Sequence, residues 1–169
     1  MAVYWITGFS GAGKTTIGRD FYQRLLSKGK TVLFLDGDEL RLIMGGEDGY
    51  DKSSRRKLSF RYSRLCKLLA DQDINVVIAT ISMFSEVRYW NRKNIDNYVE
   101  IYIKVPLNIL VERDQKNLYT SKNKDVAGFN SQYEEPKDPD IILVNDNLDL
   151  PSVLTDKLEY FLDKANLLI

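Results

Sequence analysis

Apolar runs that alternate between strand-like and helix-like spacing predict an α/β fold: a mostly parallel sheet in three layers, with helices on both faces. Two further observations support it. The first strand-like run ends in a glycine-rich loop that opens a helix, and 31–35 reads as a continuous apolar run, as a strand buried on both faces does, with 75–80 as another buried strand.

The elements follow in order. Residues 3–7 form a short β-rich run. Residues 15–27 have helical spacing, with Ile17, Phe21, Leu25 and Leu26 in one stripe, and Gly29 stops that helix. The second strand is 31–35, and no element is assigned between it and a helix over 53–71. A strand at 75–80, a helix at 85–94, a strand at 99–105 and a short helix at 107–113 come next. Within 85–94, Tyr89-Trp90 reads as helix packing. The stretch 116–138 is polar and too long for an ordinary connection, which is the mark of a lid or binding loop. A last strand spans 141–144, and Pro151 opens a helix with Val153, Leu154, Leu158, Phe161 and Leu162 in its apolar stripe. Ligands of open α/β sheets bind beyond the carboxyl ends of the strands, so the loops after Thr7, Leu35 and Thr80 should face one site.

A length of 169 residues, 44% hydrophobic and 28% charged, fits one domain over 1–169 with one core. Lys+Arg and Asp+Glu balance at 24 each, so no global field favours a nucleic acid polymer or a membrane surface, and an anion must be held by a local arrangement. Cys66 is the sole cysteine; it has no disulfide partner in the chain and reads as a small buried hydrophobe. The N-terminus lacks a basic segment and a small-residue cleavage site, and no apolar run approaches the roughly 20 residues of a membrane helix, so a cytoplasmic protein is expected. Histidine is absent, which leaves proton transfer to carboxylates, lysines or substrate groups.

Gly8-Phe9-Ser10-Gly11-Ala12-Gly13-Lys14-Thr15 matches G-x-x-x-x-G-K-[ST] between a strand and a helix. The glycines let the backbone N–H groups fold round phosphates, and the helix N-terminus adds partial positive charge. Lys14 is expected on the β- and γ-phosphates of ATP, and the Thr15 hydroxyl on Mg²⁺. A GTPase would need Asn/Thr-Lys-x-Asp after a strand; Asn123-Lys124-Asp125 lacks that spacing and reads as a solvated charge run. Small size and a lid-like loop favour a metabolite kinase over a larger ATPase.

The second strand ends in Asp36-Gly37-Asp38. Transfer to a hydroxyl needs Mg²⁺ positioning and a group that orients the hydroxyl proton, and with no histidine these two carboxylates are the candidates, with Thr15 and Asp36 on the metal. Arg41, Arg55, Arg56, Arg61 and Arg64 follow; of these Arg41, Arg55 and Arg61 are the candidate ligands of an anionic substrate, since guanidinium forks suit phosphate or sulfate.

Together these residues resemble the adenylylsulfate kinase family. Its pattern G-x-S-G-x-G-K-[ST]-T covers residues 8–16, including Thr16, and L-D-G-D-x-x-R covers 35–41. Further matches are Gly49-Tyr50 with Arg55, Ile81-Ser82, Pro106-Leu107, Arg113-Asp114, Lys116, Leu118-Tyr119 and the stretch 131–136. The resemblance implies a P-loop kinase fold and transfer of the ATP γ-phosphate to the ribose 3′-hydroxyl of adenylylsulfate with Mg²⁺. It implies that Asp36 or Asp38 orients that hydroxyl, that Arg41 and Arg55 hold the anionic groups, and that Ser82 with Ile81 lies at the substrate site. It places Arg113 near the ATP base or the lid hinge, and Lys116 and Leu118 in the lid. It also implies a homodimer.

Departures from the pattern gather on the acceptor side. Leu58 stands at an asparagine position, Ser54 at an aspartate and Met83 at a proline, and Thr120 and Ser121 replace lid lysines in a shorter lid. Of the two rings that sandwich the substrate adenine in the family, Tyr50 supplies one; Val126 stands at the other, with Phe129 as the candidate substitute. A divergent capsule-associated branch of the family phosphorylates cytidine diphosphoramidate, and a smaller pyrimidine suits such a site. A third reading, a nucleotide-dependent binding module without turnover, is disfavoured by the acidic pair, the arginines and the lid.

Overall fold

The computed structural model describes residues 1–44, 51–113 and 133–169, and the structural statements below concern those residues. Five parallel strands, β1 (Val3–Thr7), β2 (Val32–Asp36), β3 (Asn75–Ala79), β4 (Tyr98–Lys104) and β5 (Ile141–Val144), form one sheet in the order β2-β3-β1-β4-β5. The helices are α1 (Lys14–Ser27), α2 (Gly37–Met44), α3 (Lys52–Ala70), α4 (Ser85–Asn94), α5 (Leu107–Arg113) and α6 (Pro151–Lys164).

Period-two alternation divides the strand residues between two cores. Tyr4, Ile6, Ile101 and Ile103 pack with residues of α1, α5 and α6 on one face. Val3, Trp5, Val76 and Ile78 pack with residues of α2, α3 and α4 on the other. This is the three-layer parallel architecture that the alternating pattern predicts. β1 and β3 are buried along their whole length because they lie inside the sheet. β2 departs from expectation: it is an edge strand, and Leu33 is 41% exposed. A continuous apolar run does not separate an edge strand from a central one, since strand order depends on distant pairings.

Other departures concern helix faces. α2 starts directly at Gly37, where no helix was expected. Leu26, Val153 and Phe161 are outside the buried stripes of their helices, and Tyr89 is 69% exposed rather than packed. Cys66 is wholly buried as expected, and burial pushes its thiol up. Among the described residues no helix is long and apolar enough to cross a membrane.

The chain's end is tied to its first strand. The Tyr4 hydroxyl donates to the Leu167 carbonyl at 2.9 Å and accepts from the Ile169 N–H at 3.2 Å. Burial pushes Tyr4 up to about 12, and it raises Tyr62, Tyr98 and Tyr102 as well. A tyrosine raised in the folded state binds its proton longer there than in the unfolded chain. Its contribution is therefore complete below the ordinary value of 10.0 and is lost as pH rises from there toward the folded value. Stability measured by urea unfolding is expected to fall above about pH 10, by about 1.4 kcal/mol per pH unit for each such tyrosine. Tyr4→Phe should make that slope shallower; a flat profile up to about pH 11 would refute the linkage.

Candidate functional site

The loop after β1 is shaped by close backbone approaches. At Gly8 (φ +154°) an added Cβ would lie 2.6 Å from the Ile103 carbonyl oxygen. At Gly13 (φ +93°) it would lie 2.9 Å from Asn145 Nδ2, which itself donates to the Ala12 carbonyl at 2.9 Å. Side chains are thus excluded at both positions, and Gly13 takes the left-handed conformation that starts α1. No side chain caps α1. Its first N–H groups and its dipole can therefore serve an anion. Lys14 Nζ donates to the Phe9 carbonyl at 2.7 Å, so the lysine arches back over the loop.

The acidic pair is joined to this loop. Asp36, at the end of β2, accepts from the Thr15 hydroxyl through Oδ2 at 2.7 Å. Its Oδ1 accepts from the Asp38 N–H at 2.8 Å. Asp36 is thus buried, with a bond to each oxygen, and its Asp38 bond organises the start of α2. Asp38 lies in the first turn of α2, where the helix dipole favours a carboxylate. Gly37 is needed for contact: a Cβ there would meet Thr80 Oγ1 at 2.9 Å. The D-G-D sequence is therefore a strand-to-helix junction, not a solvated turn. Thr15 and Asp36 present oxygen donors beside the phosphate loop, the donor type that Mg²⁺ takes.

A third wall comes from α3, whose start is capped by Asp51 accepting from Ser53 N–H at 2.9 Å and Ser54 N–H at 3.1 Å. Arg55, Leu58, Ser59 and Tyr62 stand at i, i+3, i+4 and i+7 and line one cavity with the phosphate loop. The Tyr62 hydroxyl donates to the Gly37 carbonyl at 2.9 Å, joining α3 to the acidic pair. The Ser82 hydroxyl is bonded to Thr80 and to Ser59, each at 2.8 Å, and Ser82 itself takes a positive φ of 25°. The Arg55 guanidinium donates to the Tyr133 hydroxyl, and the Tyr133 ring packs 5.8 Å from Phe84.

Arg113 also lines the cavity. It donates to the Gly11 carbonyl at 3.2 Å, to Asn145 Oδ1 at 2.9 Å and, through Nε, to Asn147 Oδ1 at 3.0 Å. Burial lowers its proton affinity somewhat, though an arginine stays charged. The phosphate loop is thereby held to the segment between β5 and α6.

One cavity of about 500 Å³ is lined by Ser10, Gly11, Gly13, Lys14, Thr15, Thr16, Asp36, Asp38, Arg41, Arg55, Ile81, Ser82 and Arg113 among the sequence candidates. Gly8 and Ala12 shape the loop from behind, and Ala12 belongs to the core. Arg61 is not brought to the cavity; it donates to the Met44 carbonyl at 2.7 Å. Six positions beyond Arg55, it is off the stripe that faces the site. Tyr50, Lys116, Leu118 and Phe129, with most of the expected lid, lie outside the described residues. Sequence reasoning missed Ser59, Tyr62, Tyr133, Asn145 and Asn147 as lining residues. Heptad phase from Arg55 could have found Ser59 and Tyr62; Tyr133 sits within the matched stretch 131–136 but carried no chemical signal of its own.

Comparison with known proteins agrees with this geometry. The family model described as adenylylsulphate kinase matches residues 1–144. The chain is 39% identical over 169 residues to a cytidine diphosphoramidate kinase of Campylobacter jejuni, covering 98% of this chain and 96% of that one. It is 34% identical over 165 residues to an adenylyl-sulfate kinase of Halothermothrix orenii, covering 95% and 89%. Among solved structures, an APS kinase of Mycobacterium tuberculosis in complex with AMPPNP and APS superimposes with a TM-score of 0.85 at 29% identity, covering 96% of this chain and 97% of that one.

Proposed function

Because this chain belongs to the adenylylsulphate kinase family and is an ATP-dependent kinase of P-loop fold, we propose that it transfers the ATP γ-phosphate to the ribose 3′-hydroxyl of a nucleotide. Adenylylsulfate is the first acceptor, giving 3′-phosphoadenylylsulfate. The observation that carries this reading is that one cavity brings Lys14, Asp36, Asp38, Arg41 and Arg55 together.

The residues divide the work. The loop amides, the α1 N-terminus and Lys14 hold the ATP phosphates and meet the charge that develops on them. Thr15 and Asp36 would hold Mg²⁺, which when bound neutralises charge on the β- and γ-phosphates. The bond from the Thr15 hydroxyl favours the metal side for Asp36, and Asp38, in the first turn of α2 on the same cavity, is assigned the hydroxyl side. Asp38 then accepts the hydroxyl proton as the new O–P bond forms and the bond to ADP breaks. Arg41 and Arg55 hold the acceptor's anionic group. Ser82, fixed by Thr80 and Ser59, and the Ile81 backbone orient its sugar. Residues 1–169 act as one catalytic domain in this reading.

A second acceptor, cytidine diphosphoramidate, is favoured by specific observations. A kinase of that name is 39% identical over nearly the whole chain, and Leu58 puts an apolar side chain in the cavity lining, at the position where the resemblance leads one to expect an asparagine. An apolar residue there leaves a polar partner on a purine acceptor unpaired, at about 1–3 kcal/mol if buried.

Acceptor-dependent ADP release should be measured with ATP and Mg²⁺ against both compounds side by side. A ratio of kcat/KM above about tenfold in either direction identifies the acceptor, since one unpaired buried group is worth about that much. ADP release independent of either compound, or none with both, would refute the proposed transfer.

A further inference from the structure

Tyr133 reaches the cavity from a short strap that is anchored outside it. The Glu134 N–H donates to the Met83 carbonyl at 2.9 Å, and the Ser85 N–H donates to the Glu134 carboxylate at 3.1 Å. The Tyr102 hydroxyl donates to the Glu135 carboxylate at 2.7 Å. The remaining anchor is Arg88 of α4, whose guanidinium donates to the Glu134 carbonyl at 2.8 Å and the Glu135 carbonyl at 3.5 Å. The Nε side of the same guanidinium lies 3.3 Å from Glu100 of β4. Glu100 is 2% exposed and Arg88 8% exposed, and neither lines the cavity. Arg92 braces the pair from the rim, 3.0 Å from Glu100 and 3.1 Å from Asp140, whose carboxylate accepts the Glu100 N–H at 2.7 Å.

Net stability is a poor reason for such a pair, because removing two charges from water offsets most of their attraction. A planar fork does what an apolar pair would not: with one edge against a carboxylate it can aim its other N–H groups at two successive carbonyls. Those carbonyls directly follow Tyr133, and Tyr133 in turn receives the Arg55 hydrogen bond and packs on Phe84.

We propose that Arg88, held by Glu100, is a positioning residue for the acceptor wall: it fixes the strap so that Tyr133 meets Arg55, and thereby sets acceptor affinity without touching either substrate. The affinity consequence rests on the reading of Arg55 as an acceptor ligand. Arg88→Lys keeps a positive charge beside Glu100 but has no fork to span both carbonyls. It should raise the acceptor KM about tenfold while kcat stays within about twofold and the KM for ATP is unchanged. Tyr133→Ala should give a similar rise, and the double variant little more, because both act through one contact. Hydrogen exchange of the Glu134 amide, without any acceptor, should be about tenfold faster in Arg88→Lys, while α1 amides keep their rates. An unchanged Glu134 rate overturns the proposal whatever turnover shows. Additive effects, or KM values for ATP and acceptor that rise together, overturn it as well. Wild-type enzyme idle with both acceptors would instead refute the proposed function, and the exchange rate would still decide whether Arg88 holds the strap.

Discussion

Lys14→Met is expected to lower kcat by about 10²–10³-fold, the usual loss when one charge-stabilising donor is removed from a transfer site. The effect should be large because Lys14 is placed by the loop itself. It is the first residue of α1, follows a glycine held in the left-handed conformation, and lines the cavity with Thr15 and Asp36. Its Nζ already reaches back over the loop to the Phe9 carbonyl. Methionine keeps much of the aliphatic stem and removes the charge, so the melting temperature should stay within a few degrees while single-turnover transfer collapses. A loss below tenfold would mean that the loop amides alone carry the charge on the transferred group.

Asp38→Asn should be about as damaging, by about 10²–10⁴-fold in kcat, because an amide cannot take the hydroxyl proton. Binding of an unreactive ATP analogue should persist, since the Asp38 backbone N–H that bonds Asp36 is unaltered. Asp36→Asn should differ in kind. It removes the charge bonded to Thr15, so it should raise the Mg²⁺ concentration needed for half-maximal rate, whereas Asp38→Asn should leave that requirement where it was. Equal Mg²⁺ dependence in the two variants would refute the division of roles; near-normal rates in both would remove the pair from the chemistry altogether.

The site was legible where its signal is local and lost where it depends on partners far along the chain. Residues 8–16 announce a phosphate loop because glycine spacing, lysine and hydroxyl all act within one turn of backbone. Asp36 and Asp38 were readable as a pair at a strand end, yet the bonds of Asp36 to Thr15 and to the Asp38 amide appear only once α1 and the start of α2 are placed beside it. Arg55 and Arg61 look alike as letters. Helical phase separates them: Arg55 shares a stripe with Leu58, Ser59 and Tyr62, and Arg61 points elsewhere, to the Met44 carbonyl.

By itself the sequence determined the alternation of strands and helices, the phosphate loop and the acidic strand end, since these follow from periodicity and from short-range backbone chemistry. The tertiary structure alone decided that β2 is an edge strand, that Asn145 and Arg113 hold the loop from 133 and 102 residues away, and that Arg88, beside Glu100, reaches the Glu134 carbonyl. The physical reason is common to all three. Strand order, cross-chain hydrogen bonds and the partner of a buried charge are set by which surfaces exclude water together, and no window of neighbouring residues contains that information.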